Sequence, residues 1–104
     1  MKYNVVYLNP AMQDVTEIRN YLSQFYPNTP MKFLTALKKG IENICTNPYI
    51  YPEYEDNASY RKMIILDYIV FYKVHESEMI VEIHRVLYGM RDINAYLPKR
   101  GLLM

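Results

Sequence analysis

The sequence predicts an α+β fold, a helical hairpin packed on a mostly antiparallel sheet. Three observations carry that expectation. Two stripes of apolar residues at helical spacing fill the first half, each opened by a proline and parted by the breaker "YPNTP". Three runs rich in β-branched and aromatic residues fill the second half, joined by short polar turns. The chain has 104 residues, 51% of them hydrophobic and 22% charged, so residues 1–104 read as one domain around one principal core.

The elements follow in order. "YNVVYL" (3–8) alternates as a short strand and is stopped by Asn9-Pro10. Asn9 is suited to cap a helix, and Pro10 to its first position, where a missing N–H costs nothing. Met12, Val15, Ile18, Leu22 and Phe25 then recur on one helical face. Asp14 and Glu17 fall in the early turns, where the helix dipole favours negative charge. Thr29-Pro30 repeats the cap-and-proline device. It opens a second helix over about 30–45, with Phe33, Leu34, Leu37, Ile41 and Ile44 on its inner side. Gly40 beside that stripe costs about 1 kcal/mol relative to alanine and predicts close approach to the first helix.

"TNPYIYPEYEDNAS" (46–59) has no period, carries two prolines and ends in acids and amides, which reads as a loop. Strands follow at "YRKMIIL" (60–66), "YIVFYKV" (68–74) and "MIVEIHRVL" (79–87), with "HESE" turning between the last two. After Gly89, Asp92 can cap a short helical turn holding Ile93, Tyr96 and Leu97.

Composition excludes several function classes. No apolar run approaches the 18 or more residues of a membrane span, and "MKYNVVYLNP" lacks a signal peptide's apolar stretch, so a cytoplasmic protein is expected. Cys45 has no partner for an internal disulfide, and with two histidines it is thin material for a metal site; no cofactor is expected. A net charge of +1 is not a nucleic-acid signature. The unusual count is 12 tyrosines with no tryptophan, rings with a polar tip that suit sheet faces and interfaces.

A sheet covered on one side alternates apolar and polar. These strands do not. Tyr68, Val70, Tyr72 and Val74 point one way while Ile69 and Phe71 point the other, and Met63 and Ile65 oppose Ile64 and Leu66. One hairpin covers one face. The other is left to the tail, through Leu97, Leu102 and Leu103, or to a protein partner.

On the last strand Arg85 shares parity with Met79, Val81, Ile83 and Leu87, in line with the core unless a bulge flips the register. A guanidinium there needs a carboxylate or a place on a rim. Arg61 and Lys62 open the neighbouring strand and Arg91 follows Gly89, so a basic rim suited to phosphates or to an acidic peptide is predicted. Metal-free RNA cleavage needs a base, an acid and cations. His84, Tyr88, Tyr96 and the arginines are the available groups, although a strand histidine is more often simply satisfied.

The initial strand followed by "PAMQDVTEIRNYL", "NPYIYP" after the second helix, and "YIVFYKV" paired with "VEIHRVLYGMRD" resemble the RelE/ParE-type toxins of bacterial type II toxin–antitoxin systems. The Arg-Val-Leu-Tyr-Gly run followed by Arg-Asp is similar to the ParE branch in particular. The resemblance spans about residues 3–97. It implies growth inhibition and a cognate antitoxin whose C-terminal segment wraps the toxin. Tyr68, Val70, Tyr72, Arg85, Tyr88 and Arg91 are expected at the partner surface. ParE-like members inhibit DNA gyrase, and that target is the expectation here. RelE-like members instead cleave mRNA in the ribosomal A site, which would place Arg61, Lys62, Arg85, Arg91 and Tyr96 around the phosphate. The arginine that such ribonucleases carry after the tyrosine opening a strand stands here as Ile69, which favours the gyrase reading. A third alternative is a degenerate member that binds antitoxin without toxicity.

Overall fold

The computed structural model describes residues 2–25 and 27–97. Strand β1 (Asn4–Tyr7) leads into helix α1 (Asn9–Ser23), and helix α2 (Thr29–Thr46) returns beside it. Strands β2 (Glu53–Tyr54), β3 (Asn57–Ile65), β4 (Tyr68–His75) and β5 (Ile80–Tyr88) follow, with 3-10 turns at Glu76–Glu78 and Ile93–Ala95. The sheet order is β1-β5-β4-β3-β2. β1 lies parallel to β5 and every other pairing is antiparallel. The predicted α+β layering is present. Among the described residues no helix is long and apolar enough to cross a membrane.

Local differences from the sequence reading have physical reasons. Asn9 is already helical and makes no side-chain cap; Leu8 takes the N-cap place, because its N–H is held by the Ile83 carbonyl at 3.0 Å and the strand runs straight into the helix. Thr29 is likewise helical, after an N-cap at Asn28 that makes no side-chain bond. The stretch 46–59 is not all loop. Tyr54 pairs with Asn57 in a tight β2–β3 hairpin, and the Asn57 carboxamide oxygen accepts from the Ser59 N–H at 3.2 Å and the Ser59 hydroxyl at 2.6 Å. Those polar residues read as loop, but the ladder is anchored by Tyr54 and Tyr60, whose rings meet Phe71 edge-on.

The principal core lies between the hairpin and the sheet. Phe33, Leu37, Ile41 and Ile44 of α2 and Ala11 of α1 pack on Met63, Val70, Tyr72, Val81, Ile83 and Val86. Met12 of α1 and Phe25 beyond its end are exposed, and the helix's inner face is instead Ala11, Asp14, Val15, Ile18 and Leu22. Gly40 does permit a close approach, but to the sheet and not to α1: a Cβ there would sit 2.6 Å from Met63 Sδ.

The opposite face carries a second apolar cluster of Tyr54, Tyr60, Phe71, Leu87 and Leu97, with Ile69 and Ile93 against it. Leu97 therefore covers part of this face, as the tail was expected to do; Leu102 and Leu103 lie outside the described residues. The failed alternation in β4 is thus one strand serving two cores.

Tyr72 shows how the tyrosines serve both burial and polarity. It is fully buried, and its hydroxyl donates to the Pro48 carbonyl at 2.7 Å, fixing the start of the loop after α2. Burial pushes the hydroxyl up to about 12 from 10.0. The folded pKa is raised, so the stabilisation is complete below pH 10 and is lost as pH rises toward 12. Tyr72→Phe should cost about 1 kcal/mol at neutral pH. It should also make the alkaline loss of stability between pH 10 and 12 shallower than in the wild type, as urea melts across that range would record.

Candidate functional site

The site grows from the place where β1 stops. The β1–β5 register ends at Tyr7↔Ile83, and the chain turns away into α1. Beyond Ile83, β5 has no strand on that side. Its Val86 N–H is met instead by the Asp14 carboxylate of α1, Oδ2 accepting at 2.9 Å. The same carboxylate takes Arg85 in a two-pronged grip, with Nε to Oδ2 at 2.7 Å and Nη2 to Oδ1 at 2.8 Å. Asp14, only 8% exposed, is held by three donors. The sequence reading placed Asp14 in the early turns of the helix, where the dipole favours its charge, and gave no sign of these partners in β5.

Arg85 reaches that carboxylate because of a β-bulge. The β4–β5 register shifts between Phe71 and Tyr72, which pair with Arg85 and Ile83, leaving His84 as the extra residue. Past the bulge, Val86 joins the principal core while Leu87 joins the cluster on the other face. Arg85, freed from the core-facing row, lies at the sheet margin. Its guanidinium also sits 5.4 Å from the Tyr96 ring centroid and donates weakly to the Tyr96 carbonyl at 3.4 Å. The hydrogen bond to Asp14 holds its proton more tightly than an ordinary guanidinium's.

Arg91 lies 5.3 Å from the same ring, so Arg85, Arg91 and Tyr96 form one group. The other expected cations are elsewhere. Arg61 donates to the Tyr51 carbonyl at 2.7 Å and stacks on Tyr49, bracing the loop after α2. Tyr49 in turn donates to the Glu76 carboxylate, which is the main cause of its pKa rising to about 12. Lys62 points to the opposite face, paired with Glu55 at 2.8 Å. The continuous basic rim predicted from sequence is therefore not assembled. Strand parity places Arg61 and Lys62 on opposite faces, and local acceptors engage both.

The expected partner residues divide in the same way. Val70 and Tyr72 are fully buried beneath the hairpin and unavailable to any partner, because their shared parity is that of the helix-covered face. Tyr68 is mostly buried at the rim of that core, with its ring 5.1 Å from Phe33 and 5.9 Å from Tyr88. Tyr88 and Arg91 are exposed.

The structure adds two features that the sequence reading missed. Ile64, Leu66 and Met90 are 65%, 59% and 81% exposed at one end of the sheet. The β3–β4 turn and the exit from β5 meet there through the Gly89 N–H to Asp67 carbonyl bond of 2.9 Å. Leu66 adopts φ 53°, a left-handed conformation that costs a leucine about 1 kcal/mol. Elsewhere, Glu82 Oε1 lies 3.1 Å from His75 Nε2 and 2.6 Å from His84 Nε2. Burial pushes the His84 imidazole down from its ordinary value, opposed by Glu82. Among the described residues no group of three or more His, Cys, Asp or Glu is arranged to hold a metal ion.

Comparison with known proteins follows from this geometry. The family model described as the ParE toxin of the type II toxin–antitoxin system parDE matches residues 5–93. No curated protein sequence matches the chain. Among solved structures, a chain of the chromosomal ParDE system of P. aeruginosa superposes with a TM-score of 0.70 at 10% identity, covering 84% of this chain and 96% of that one. A chain of the RelBE2 toxin–antitoxin complex of Mycobacterium tuberculosis gives 0.63 at 16% identity, covering 85% and 99%. The isolated E. coli RelE toxin gives 0.62 at 14% identity, covering 89% and 92%. At these identities the superpositions establish a shared fold.

Removing the Asp14 carboxylate leaves both a guanidinium and a strand N–H without their acceptor. Asp14→Ala should destabilise the protein by about 3 kcal/mol, and the Asp14→Ala/Arg85→Met double variant should recover at least half of that. Urea denaturation of the two variants and of Arg85→Met alone measures the coupling.

Proposed function

Because this chain belongs to the ParE toxin family of type II toxin–antitoxin systems, we propose that it arrests growth by binding DNA gyrase and is kept silent by a cognate antitoxin. The observation that carries the choice of target is the state of the cations. Arg61, Lys62 and Arg85 each already have an acceptor within the fold, at 2.7, 2.8 and 2.7 Å. A phosphorane-stabilising site needs cations convergent on one point. Here only Arg85 and Arg91 meet, at the Tyr96 ring, and Arg85 is already held by Asp14, while Arg61 and Lys62 are engaged elsewhere. Ile69, at the position where ribonucleases of the fold carry an arginine, packs against the apolar cluster of the second face.

What this end of the sheet does present is apolar. Ile64, Leu66 and Met90 form an exposed rim next to Arg91, a combination of aliphatic contacts and one arginine that suits a protein surface better than a nucleic acid. The left-handed Leu66 supports the same reading. Glycine would relieve the backbone there, so the leucine side chain is retained at a cost. The antitoxin partner is supported by the relatives, several of which are toxin–antitoxin complexes.

Brief induction of the protein alone should arrest growth with DNA breaks or altered supercoiling while messages stay intact. Codon-phased mRNA cuts without DNA damage would replace gyrase with the ribosome as target. Leu66→Gly should raise stability by about 0.5 kcal/mol through relief of the left-handed strain. The same change should weaken inhibition of gyrase supercoiling by about tenfold, as expected for loss of a contact worth roughly 1.4 kcal/mol. Thermal melts and a supercoiling titration on one preparation would read both effects.

A further inference from the structure

On the sheet face turned away from the helices, one carboxylate oxygen gathers two imidazoles from two strands. Glu82 Oε1 of β5 lies 3.1 Å from Nε2 of His75 on β4 and 2.6 Å from Nε2 of His84. An ionised carboxylate only accepts, so each neutral ring carries its proton on Nε2. His84 is the extra residue of the β5 bulge, and its ring stands edge-on to the buried Tyr60 at 5.2 Å. Its side chain is 17% exposed, against 39% for His75. Lys73, the cross-strand partner of Glu82, places its ammonium 4.7 Å over the Tyr60 ring.

The charges around the rings are few. The β1 neighbour of Glu82 is the uncharged Val6, and β3 brings the Tyr60 phenol. Next along β5, Arg85 is held by Asp14; beyond His75, Glu76 accepts from Tyr49. Among the described residues, Glu82 is the carboxylate bonded to either ring. At neutral pH Lys73 and Glu82 balance, and each further proton adds a positive charge beside Lys73.

We propose that this cluster is a proton-sensitive latch on the β5 bulge, closed while His84 is neutral and opened when its ring is charged. The bulge and the Asp14 grip are consecutive in the chain: Arg85 and Val86 follow His84 directly, and both meet that carboxylate. For the ring to reach water it must leave Tyr60 and Glu82, and with them the contacts that hold the bulge. Burial pushes the His84 imidazole below its ordinary 6.5; Glu82 opposes this, while Lys73 and His75 add to it. The folded value is the lower one, so the stabilisation is present above pH 6.5 and is lost as pH falls through the folded value. The Glu82 carboxyl is held below its ordinary value, chiefly by the His75 hydrogen bond, and stays ionised throughout. The switch is therefore the ring.

The test follows the His84 ring by NMR and the Val86 amide by hydrogen exchange, corrected for the intrinsic pH dependence of exchange. From about pH 7.5 to about pH 5.5, Val86 protection should fall severalfold. The fall is bounded by the roughly tenfold that one ring of ordinary pKa 6.5 can supply at the lower pH. His84→Phe keeps a ring against Tyr60 without a titrating group and should abolish the dependence. Lys73→Met removes the nearby cation and should raise the His84 pKa and shrink the loss. The proposal is overturned if His84 titrates at or above its ordinary value, or if Val86 protection is equal at both pH values. An equal fall across the β3–β4 ladder, or a loss that survives His84→Phe, overturns it as well. Should circular dichroism show His84→Phe unfolded, the Lys73→Met arm decides, an unchanged loss there being equally fatal.

Discussion

The three-donor grip on Asp14 is the constraint from which the rest of this structure hangs. It joins α1 to β5 where no strand does so, by giving Val86 the acceptor that β1 would otherwise have supplied. Through Arg85 it extends to Tyr96 and thus to the segment that closes the second face with Leu97. A buried carboxylate is tolerable only when its charge and lone pairs are met, and here a guanidinium and a strand N–H meet both. One side chain therefore ties α1 to the free margin of β5 and, through Arg85, to Tyr96.

The early end of β1 has a second consequence. Because the strand yields to α1 after Tyr7, a trough is left between helix and sheet that the core does not fill. The residues lining it come from α1, from the β3–β4 turn and from β5. None of these is near another in sequence, so the surface exists only in the folded chain. The exposed aliphatic rim at the sheet's end arises similarly, from a strand turn and a strand exit brought together by a backbone hydrogen bond. Neither depends on an abundance of charge.

The tyrosines fit the same economy. Tyr72 is buried with its hydroxyl on a carbonyl, Tyr54 and Tyr60 pack edge-on against Phe71, and Tyr96 receives two guanidiniums. Their polar tips let rings line a small protein's core margins without leaving unpaired groups.

By itself the sequence determined the types and order of the two helices and the four longer strands, though not the short β2, because hydrophobic periodicity and proline placement are local signals set by backbone geometry. It also made plain that β4 is apolar on both faces, since that fact is written in the strand's failure to alternate; that the second face holds a core of its own was decided by the fold. Helix caps and the β2–β3 hairpin were not legible, because a neighbouring carbonyl and distant aromatic rings decided them. Nor was the candidate site. Whether Arg85 pointed to core or margin turned on a single bulge residue, His84, which shifts every later side chain to the other face. Asp14 read as an ordinary helix acid because its partners lie in β5, at Arg85 and Val86. The basic rim dissolved for the converse reason: residues adjacent in sequence take opposite faces of a strand, and nearby acceptors claimed them before any ligand could.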